Sequence, residues 1–395
     1  MQAFIPQSRS CFVQADFLSS QDDACFGIYA KTPDTPKSVT RKLRYLPISH
    51  PLRTKYDYCN MMYVAAVHMI ETLTGSSMVE FLHQRVWNLL GMNNSYFGQD
   101  DLIAQGDINR FAKGYQWMDE KSAYIDVPWP KQPEAAGAGE MISTASDYIK
   151  FVRSLIQKSG PISEKGHEEL VKPRTITNWD PDQPFHSQEL YALGLSIEHY
   201  HGELVIGHDG STTGFGSKML YLPRLKWGIV VLGNTGDASD AHEQICWSMI
   251  DDLLDVPQDK RFDWTKKGDE EEKDEKVDLY PNLPDPPIPT TLPLSEYTGA
   301  YSHDGYGTLA VELKEDKLWI DATDRTWRIT FSFEHASGEY FIMTRKDVAT
   351  IETEEMKAEF RLDSSGRVAQ LGVDFVPELN GELIWFLKDI VQELL

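Results

Sequence analysis

The amino-acid sequence predicts an α+β protein, in which an antiparallel sheet with helices is followed by a small C-terminal antiparallel β-barrel. Residues 41–262 place strands joined by hairpin turns between segments of helical periodicity. Residues 294–395 show short β-like segments, separated by turn residues, without an intervening helix. The acidic and proline-rich residues 263–293 are predicted to link the two domains, and residues 1–40 form a weakly patterned, divergent N-terminal segment.

The helices of the first domain are predicted from apolar residues that recur at helical spacing. Gly75 and Gly91 follow the first two helices, and glycine is the residue that most readily ends a helix. Polar capping residues at 143–147 precede the third helix. The predicted helices are residues 60–74, 77–90, 148–156 and 241–254.

The strands are predicted from short runs of apolar and β-branched residues bounded by turn residues. In the first domain, a four-residue turn at 223–226 joins two of the strands, which favours an antiparallel sheet. The strands predicted there are residues 203–206, 217–222 and 228–233. Those predicted in the barrel are residues 308–313, 317–320, 327–333, 340–344, 358–362 and 370–375.

The composition excludes several classes of partner. The formal net charge of −23 repels phosphate groups, so we expect no nucleic-acid partner and no anionic membrane partner. Part of that charge lies in the acidic run at 268–275, which is typical of a solvated linker. Because 41% of the residues are hydrophobic, a packed core is expected instead of disorder.

The cysteines and the N-terminus predict a cytoplasmic protein. The N-terminal residues lack the apolar segment of a secretory signal, and no stretch is apolar for long enough to span a bilayer. The cysteines are scattered without a Cys-x-x-Cys pair, which favours a reducing compartment. They are Cys11, Cys25, Cys59 and Cys246. The histidines are also dispersed, so we predict neither a metal site nor a cofactor.

The first chemical motif is Tyr58-Cys59-Asn60, which leads directly into the first predicted helix. A tyrosine and an asparagine two residues apart at such a junction can point into one cleft. A phenolate stabilised by nearby cations can act there as a general base. Alternatively, Tyr58 is a core aromatic residue and Asn60 caps the helix.

Two further stretches have both a structural and a functional interpretation. Residues 207–216 are rich in glycine, which lets a strand edge approach a ligand closely, and they contain His208. His208 can donate a hydrogen bond to a carboxylate or an oxyanion; the alternative is a purely structural turn. Small residues at 135–147 precede a capped helix, and we interpret them as tight packing beneath a cleft.

Taken in order, these stretches resemble the serine β-lactamase and penicillin-binding-protein-like hydrolases, close to the class C β-lactamases and related esterases and peptidases. That family carries Ser-x-x-Lys, then Tyr-x-Asn, then Lys-Thr-Gly or His-x-Gly on a strand. Tyr58-Cys59-Asn60 matches the second motif, and the tripeptide that begins at His208 matches the third. The resemblance covers residues 41–262, and the chain from residue 294 onward resembles a lipocalin-like β-domain.

The resemblance implies a β-lactamase/transpeptidase-like fold that hydrolyses an amide, peptide or ester bond, with acyl transfer as a related activity, on a small-molecule or peptide substrate. Tyr58 would move the proton between nucleophile, leaving group and water, and Asn60 would hydrogen-bond the motif lysine and the substrate amide. The remaining candidates are His208, Gly210, Ser211 and Thr212. The first two would line the strand edge that positions the substrate, and one of the last two would contribute to the oxyanion hole through the strand backbone.

The sequence departs from the family in one respect, because no serine has a lysine three residues later. One interpretation is that the N-terminal part of the domain, which carries Ser-x-x-Lys, is missing. Another is a catalytically inactive pseudoenzyme that acts as a binding or scaffold protein. A third, Cys59 as the nucleophile, is disfavoured because a buried cysteine usually behaves as a small hydrophobic residue. The substrate and the oligomeric state stay open.

Overall fold

The computed structural model describes residues 27–389 except 49, 52–53, 119–120, 130, 182, 237, 265–277, 351 and 377–378. The acidic run, Cys11 and Cys25 lie outside the described residues. The chain divides into two compact units. Unit 1 contains the described residues of 52–56 and 66–274, and unit 2 contains those of 27–51, 57–65 and 275–389. The domain boundaries inferred from sequence stay a prediction.

Helices and strands are labelled in chain order. The α-helices of the described residues are α1 (Pro36–Lys42), α2 (Asn60–Thr74), α3 (Met78–Leu82), α4 (Asn88–Leu90), α5 (Gly98–Ala104), α6 (Ala136–Gly139), α7 (Ala145–Gln157), α8 (Glu164–Leu170) and α9 (Ala238–Leu253). The first ten strands are β1 (Tyr96–Phe97), β2 (Gly114–Met118), β3 (Ala123–Val127), β4 (Met141–Ile142), β5 (Thr175–Asn178), β6 (Glu189–Tyr191), β7 (Ser196–Tyr200), β8 (Glu203–Thr212), β9 (Phe215–Leu222) and β10 (Trp227–Gly233). The strands of unit 2 are β11 (Gly299–His303), β12 (Gly307–Lys314), β13 (Lys317–Ala322), β14 (Ile329–Ser337), β15 (Tyr340–Asp347), β16 (Thr353–Leu362), β17 (Val368–Val373) and β18 (Ile384–Lys388).

Unit 1 is built around an antiparallel six-stranded sheet in the order β10-β9-β8-β7-β6-β5. Val152 and Leu155 of α7 pack on one face, in a cluster with Ile206 of β8. Residues of α9, including Trp247, pack on the opposite face in a cluster with Val205. Because Val205 and Ile206 are adjacent, alternation along the strand sends them to opposite faces. The sheet therefore lies between α7 and α9.

The predicted helices are confirmed, with small differences at their ends. Residues 60–74 form α2 as predicted. Residues 77–90 contain α3 and α4, joined by a π-helical turn at His83–Trp87, and Gly91 ends α4 with φ of 68°. The side chain of Thr144 accepts a hydrogen bond from the Asp147 amide and so caps α7.

Unit 2 contains a closed antiparallel barrel in the order β11 to β18, which β11 closes by pairing with β18. The predicted C-terminal antiparallel barrel is therefore confirmed. Large side chains that are less than 2% exposed fill its interior, as expected for a small eight-stranded barrel. They include Tyr297, Tyr301, Tyr306, Phe331, Phe341, Phe360 and Phe386.

Two segments without barrel strands are hydrogen-bonded to this barrel within unit 2. The amide of Thr308 donates to the Tyr29 hydroxyl at 2.8 Å, and the guanidinium of Arg325 lies 3.7 Å from the centre of the Tyr29 ring. In the proline-rich segment, the Ile288 amide donates to Ser337 Oγ at 3.0 Å, and the Tyr280 hydroxyl donates to a carbonyl of β15 at 3.1 Å. These contacts attach Tyr29 and the proline-rich segment to the barrel.

None of the helices in the described part of the chain has both the length and the apolar character that a bilayer-spanning helix requires.

Candidate active site

The glycine-rich motif lies in a long strand. β8 runs from Glu203 to Thr212, although the sequence predicted a strand that ends at residue 206. Glycine weakens a strand, yet β8 and β9 pair in continuous register from Ile206 to Thr212. The turn between these strands contains only Thr213 and Gly214, so the motif before it forms part of the sheet.

One edge of β8 is open beside the motif. β7 pairs with residues 203–207 of β8, and the pairing stops at Ser196 opposite Gly207. Among the described strands, none pairs with residues 208–212 on this side. Gly210 and Ser211 are exposed, and Thr212 is half-buried. Backbone N–H and C=O groups of this edge can therefore bind a ligand in extended conformation.

His208 lies on the face of β8 that packs on α7, because it alternates in phase with Ile206. Its Nε2 is 3.4 Å from the hydroxyl of Tyr191, and its Nδ1 contacts the carbonyl oxygen of Asp209. Tyr191 is buried, and its ring centre lies 5.0 Å from that of Tyr56. Both ring nitrogens of His208 are thus within reach of a polar partner that orients the imidazole.

The opposite face of the same hairpin carries a charge pair between a buried lysine and a half-buried glutamate. Lys218 of β9 is 9% exposed, lies directly across from Asp209, and donates a hydrogen bond to Glu243 of α9. Trp247 Nε1 donates to the other oxygen of Glu243 at 2.8 Å. Burial and the neighbouring Lys218 lower the pKa of His242. These contacts attach α9 to the strand pair that carries the motif.

The two catalytic candidates at the start of α2 belong to the other unit. Tyr58 and Asn60 lie in unit 2, whereas His208, Gly210, Ser211 and Thr212 lie in unit 1. Asn60 is the first residue of α2, and the Tyr58 ring centre lies 5.8 Å from that of Tyr63. Cys59 between them is 5% exposed. The shared site of Tyr58, Asn60 and His208 stays a prediction.

The stretch of small residues at 135–147 contains a buried carboxylate that was not among the candidates identified from the sequence. Glu140 is 7% exposed and accepts a hydrogen bond from the Gln132 amide. Its backbone carbonyl accepts from the Gly98 amide at 2.8 Å. Burial raises the pKa of the Glu140 carboxyl, and the Gln132 hydrogen bond opposes that shift in part.

We expect Glu140→Gln to stabilise the protein at neutral pH and to have no such effect in acid. A carboxyl whose pKa is raised by folding stabilises the native state below its unfolded pKa and loses that contribution as pH rises through the folded pKa. Glutamine stays neutral and keeps an oxygen for the Gln132 amide. Urea unfolding of both proteins from pH 4 to pH 8 tests this. A stability difference that does not change with pH would contradict it.

Two residues near His208 were missed by sequence reasoning. Tyr191 lies in β6, which was not predicted because its run is only three residues long. Lys218 lies in the predicted strand 217–222, but its position across from Asp209 was missed because the strand predicted at 203–206 ends before Asp209. Counting outward from the two-residue turn at 213–214 pairs Asp209 with Lys218, so opposite charge across a hairpin was the available signal.

The comparisons with known proteins agree with this architecture. The β-lactamase family model matches residues 15–245, and a domain of unknown function (DUF3471) matches residues 283–388. In solved structures, the octameric penicillin-binding protein homologue from Pyrococcus abyssi is similar with a TM-score of 0.54 and 20% identity, over 95% of this chain and 77% of that chain. This likeness concerns the fold, and it confirms the predicted β-lactamase/transpeptidase-like class.

Curated relatives extend the likeness to sequence. An unguisins hydrolase from Aspergillus campestris is 33% identical over 374 residues, which cover 92% of this chain and 69% of that protein. A second unguisins hydrolase, from Aspergillus violaceofuscus, is 33% identical over 396 residues with the same coverage. A D-aminopeptidase from Brucella ovis is 22% identical over 57% of this chain and 39% of its own length. With the family model matching more than half of its residues and hydrolases aligning along most of its length, the chain belongs to the β-lactamase family.

Proposed function

We propose that this protein binds a peptide or amide substrate in extended conformation along the open edge of β8, and that it serves the hydrolysis of an amide bond in that substrate. The open edge at residues 208–212 carries the proposal, because unpaired backbone groups on a strand edge bind a peptide through main-chain hydrogen bonds. Similarity to two unguisins hydrolases and a D-aminopeptidase supports the hydrolytic reaction.

The family motifs support a role for each candidate residue. Tyr58 would act as the general base, and Asn60 would hydrogen-bond the substrate amide. His208 and Gly210 would position the substrate, with backbone N–H groups of Ser211 or Thr212 facing the developing oxyanion. No metal or cofactor takes part in this scheme.

The covalent route of the family also needs a nucleophile. A serine oxygen bonds to the carbonyl carbon, the C–N bond breaks as the nitrogen gains a proton, and water then hydrolyses the acyl ester. The 395 residues contain no Ser-x-x-Lys to supply that serine. We therefore expect this chain by itself to bind substrate and to show at most the residual catalysis left by binding and electrostatic groups.

Hydrogen–deuterium exchange tests the binding step. Adding the blocked tripeptide Ac-Ala-Phe-Ala-NH2 should slow exchange in fragments that cover residues 207–214. The same peptide with N-methylated backbone amides is the control, because it cannot donate the main-chain hydrogen bonds. Equal protection by both peptides, or protection elsewhere only, would refute binding along this edge.

The missing Ser-x-x-Lys also favours a second candidate function, that of a non-catalytic binding or scaffold protein. A fluorophosphonate or β-lactam probe distinguishes the two. Covalent labelling of any serine in the purified 395-residue chain would overturn the non-catalytic candidate. Finding no Ser-x-x-Lys upstream in the full transcript would instead overturn the serine hydrolase.

A further inference from the structure

Three aromatic rings form a stack beside the turn that follows β8. The ring centres of Trp129 and Phe111 are 4.8 Å apart with an interplanar angle of 29°. Those of Phe111 and Phe215 are 5.8 Å apart at 14°. We call Phe111, Trp129 and Phe215 the aromatic ladder. All three belong to unit 1, as does β8.

The ladder is held by close backbone packing. A Cβ on Gly114 of β2 would lie 2.8 Å from the Phe215 ring and 3.1 Å from the Gly214 carbonyl oxygen, so only glycine allows this approach. The Trp129 indole N–H donates to the Ala112 carbonyl at 2.8 Å. Because that donor is already used and one ring face stacks on Phe111, the exposed part of Trp129, which is 36% exposed, offers a ligand an apolar ring surface.

Phe215, one of the three rings of the aromatic ladder, lies on the same face of the sheet as His208. Phe215 pairs with Thr212, and directly opposed residues share a face, as do residues two apart along a strand. Phe215, Thr212, Gly210 and His208 therefore lie in one row. Gly210 has no side chain in that row, and the residue opposite it is Ser217.

The gap at Gly210 determines what can reach the ladder. A strand added at the open edge would lie about 4.8 Å from β8 and so about 10 Å from β9, at ordinary strand spacing. Across the gap lies the Ser217 hydroxyl, and Phe215 is two residues further along β9, so the side chain of a substrate residue opposite Gly210 would extend diagonally past Ser217 toward Phe215. An aromatic side chain covers about half of that distance, so contact also requires the extent of the Phe215 side chain, whereas an alanine methyl group covers far less.

We propose that the aromatic ladder is a specificity subsite for an aromatic side chain of the peptide or amide substrate, a proposal that rests on the function proposed above. Stacked rings present π-faces at which a further ring gains a favourable offset or edge-on contact. Lys113 and Asp126 at the adjacent end of the β2–β3 hairpin are paired with each other at 2.9 Å. Because these two charges are paired with each other, the rings of the aromatic ladder remain as the surface that selects the substrate side chain.

Calorimetric titration with blocked tripeptides Ac-Ala-Xaa-Ala-NH2 tests the subsite, with phenylalanine, leucine, lysine or alanine as Xaa. The phenylalanine peptide should bind about fivefold tighter than the alanine peptide, in the range that aromatic pairs provide. Equal affinity of these two peptides would overturn the subsite and leave binding along β8 intact. Failure of every peptide to bind would overturn the proposed function itself. Tightest binding of the lysine peptide would also overturn an aromatic subsite.

Variants assign the preference to the ladder. Phe111→Leu keeps an apolar side chain but removes the middle ring, and it should abolish the preference for phenylalanine over alanine. Tyr124→Ala is the matched control, because Tyr124 is 55% exposed on the same hairpin and pairs with Trp117 away from the ladder. The control should keep the preference. Unchanged preference in both Phe111→Leu and Trp129→Leu, with unchanged thermal unfolding, would overturn the proposal.

Discussion

Replacing Phe360 with alanine is expected to lower the free energy of unfolding of the barrel by about 3–5 kcal/mol, the usual cost of removing a buried aromatic ring. Phe360 is 1% exposed at the centre of the barrel. Its ring centre lies 5.1 Å from that of Tyr297 and 5.4 Å from that of Phe341. Since both neighbours are themselves buried and their ring centres lie 6.0 Å from each other, the close-packed side chains cannot collapse fully into the space.

Urea unfolding of the whole chain, followed by circular dichroism, measures this effect. Leu387→Ala is the matched control, because Leu387 lies in the barrel strand β18 but points outward and is 60% exposed. The control should change stability by less than about 0.5 kcal/mol. A loss below about 1 kcal/mol for Phe360→Ala would mean that the barrel interior is not closely packed.

The barrel also illustrates what local sequence patterns can predict. Its six central strands were predicted because each alternates clearly between turns. The two strands that close the barrel, β11 and β18, were not predicted from the sequence. The sequence of β18 is Ile-Trp-Phe-Leu-Lys, a nearly continuous apolar run that could belong to several structures. Its identity as a strand depends on pairing with β11, which is more than 80 residues away.

Local sequence patterns also failed to predict how the segments outside the barrel strands contact the barrel. Nothing in residues 1–40 indicated that Tyr29 accepts a hydrogen bond from Thr308, a contact between residues 279 positions apart. Likewise, the proline-rich segment was predicted to be a semi-rigid linker outside the core, and its composition did not indicate that the Ile288 amide is hydrogen-bonded to Ser337. Local composition predicted the absence of helix and strand there, but not the partners.

For the candidate site, the sequence located the motif and missed its surroundings. The His208 tripeptide was identified from residue types alone. The open edge of β8 beside this tripeptide could not be predicted from sequence, because the edge is open only beyond the point where β7 stops pairing at Ser196. Strands β5 and β6 were not predicted, since they are short and rich in polar residues. The site is therefore a property of sheet topology as much as of the motif.

Replacing Gly207 with alanine should both destabilise the protein and weaken tripeptide binding. The added Cβ would overlap Leu220 Cδ2 and would lie 2.7 Å from the Met219 carbonyl oxygen. That oxygen belongs to the backbone of β9, so relief requires β8 to move. We expect a loss of about 1–3 kcal/mol of stability, as in other overpacked positions. Because His208 is the next residue, displacement of β8 should also weaken binding by about tenfold.

Gly210→Ala, three residues further along the same strand, separates an effect on substrate binding from an effect on stability. A Cβ there would meet only the hydroxyl oxygen of Ser217, at 2.9 Å, and a hydroxyl group can rotate away. Stability should therefore change by less than about 0.5 kcal/mol. The new methyl group would nevertheless fill the gap in the row from His208 to Phe215 and obstruct the substrate. Urea unfolding and peptide titration of both variants measure the contrast. If Gly210→Ala binds the phenylalanine tripeptide as tightly as the parent protein, the substrate does not lie along this edge of β8.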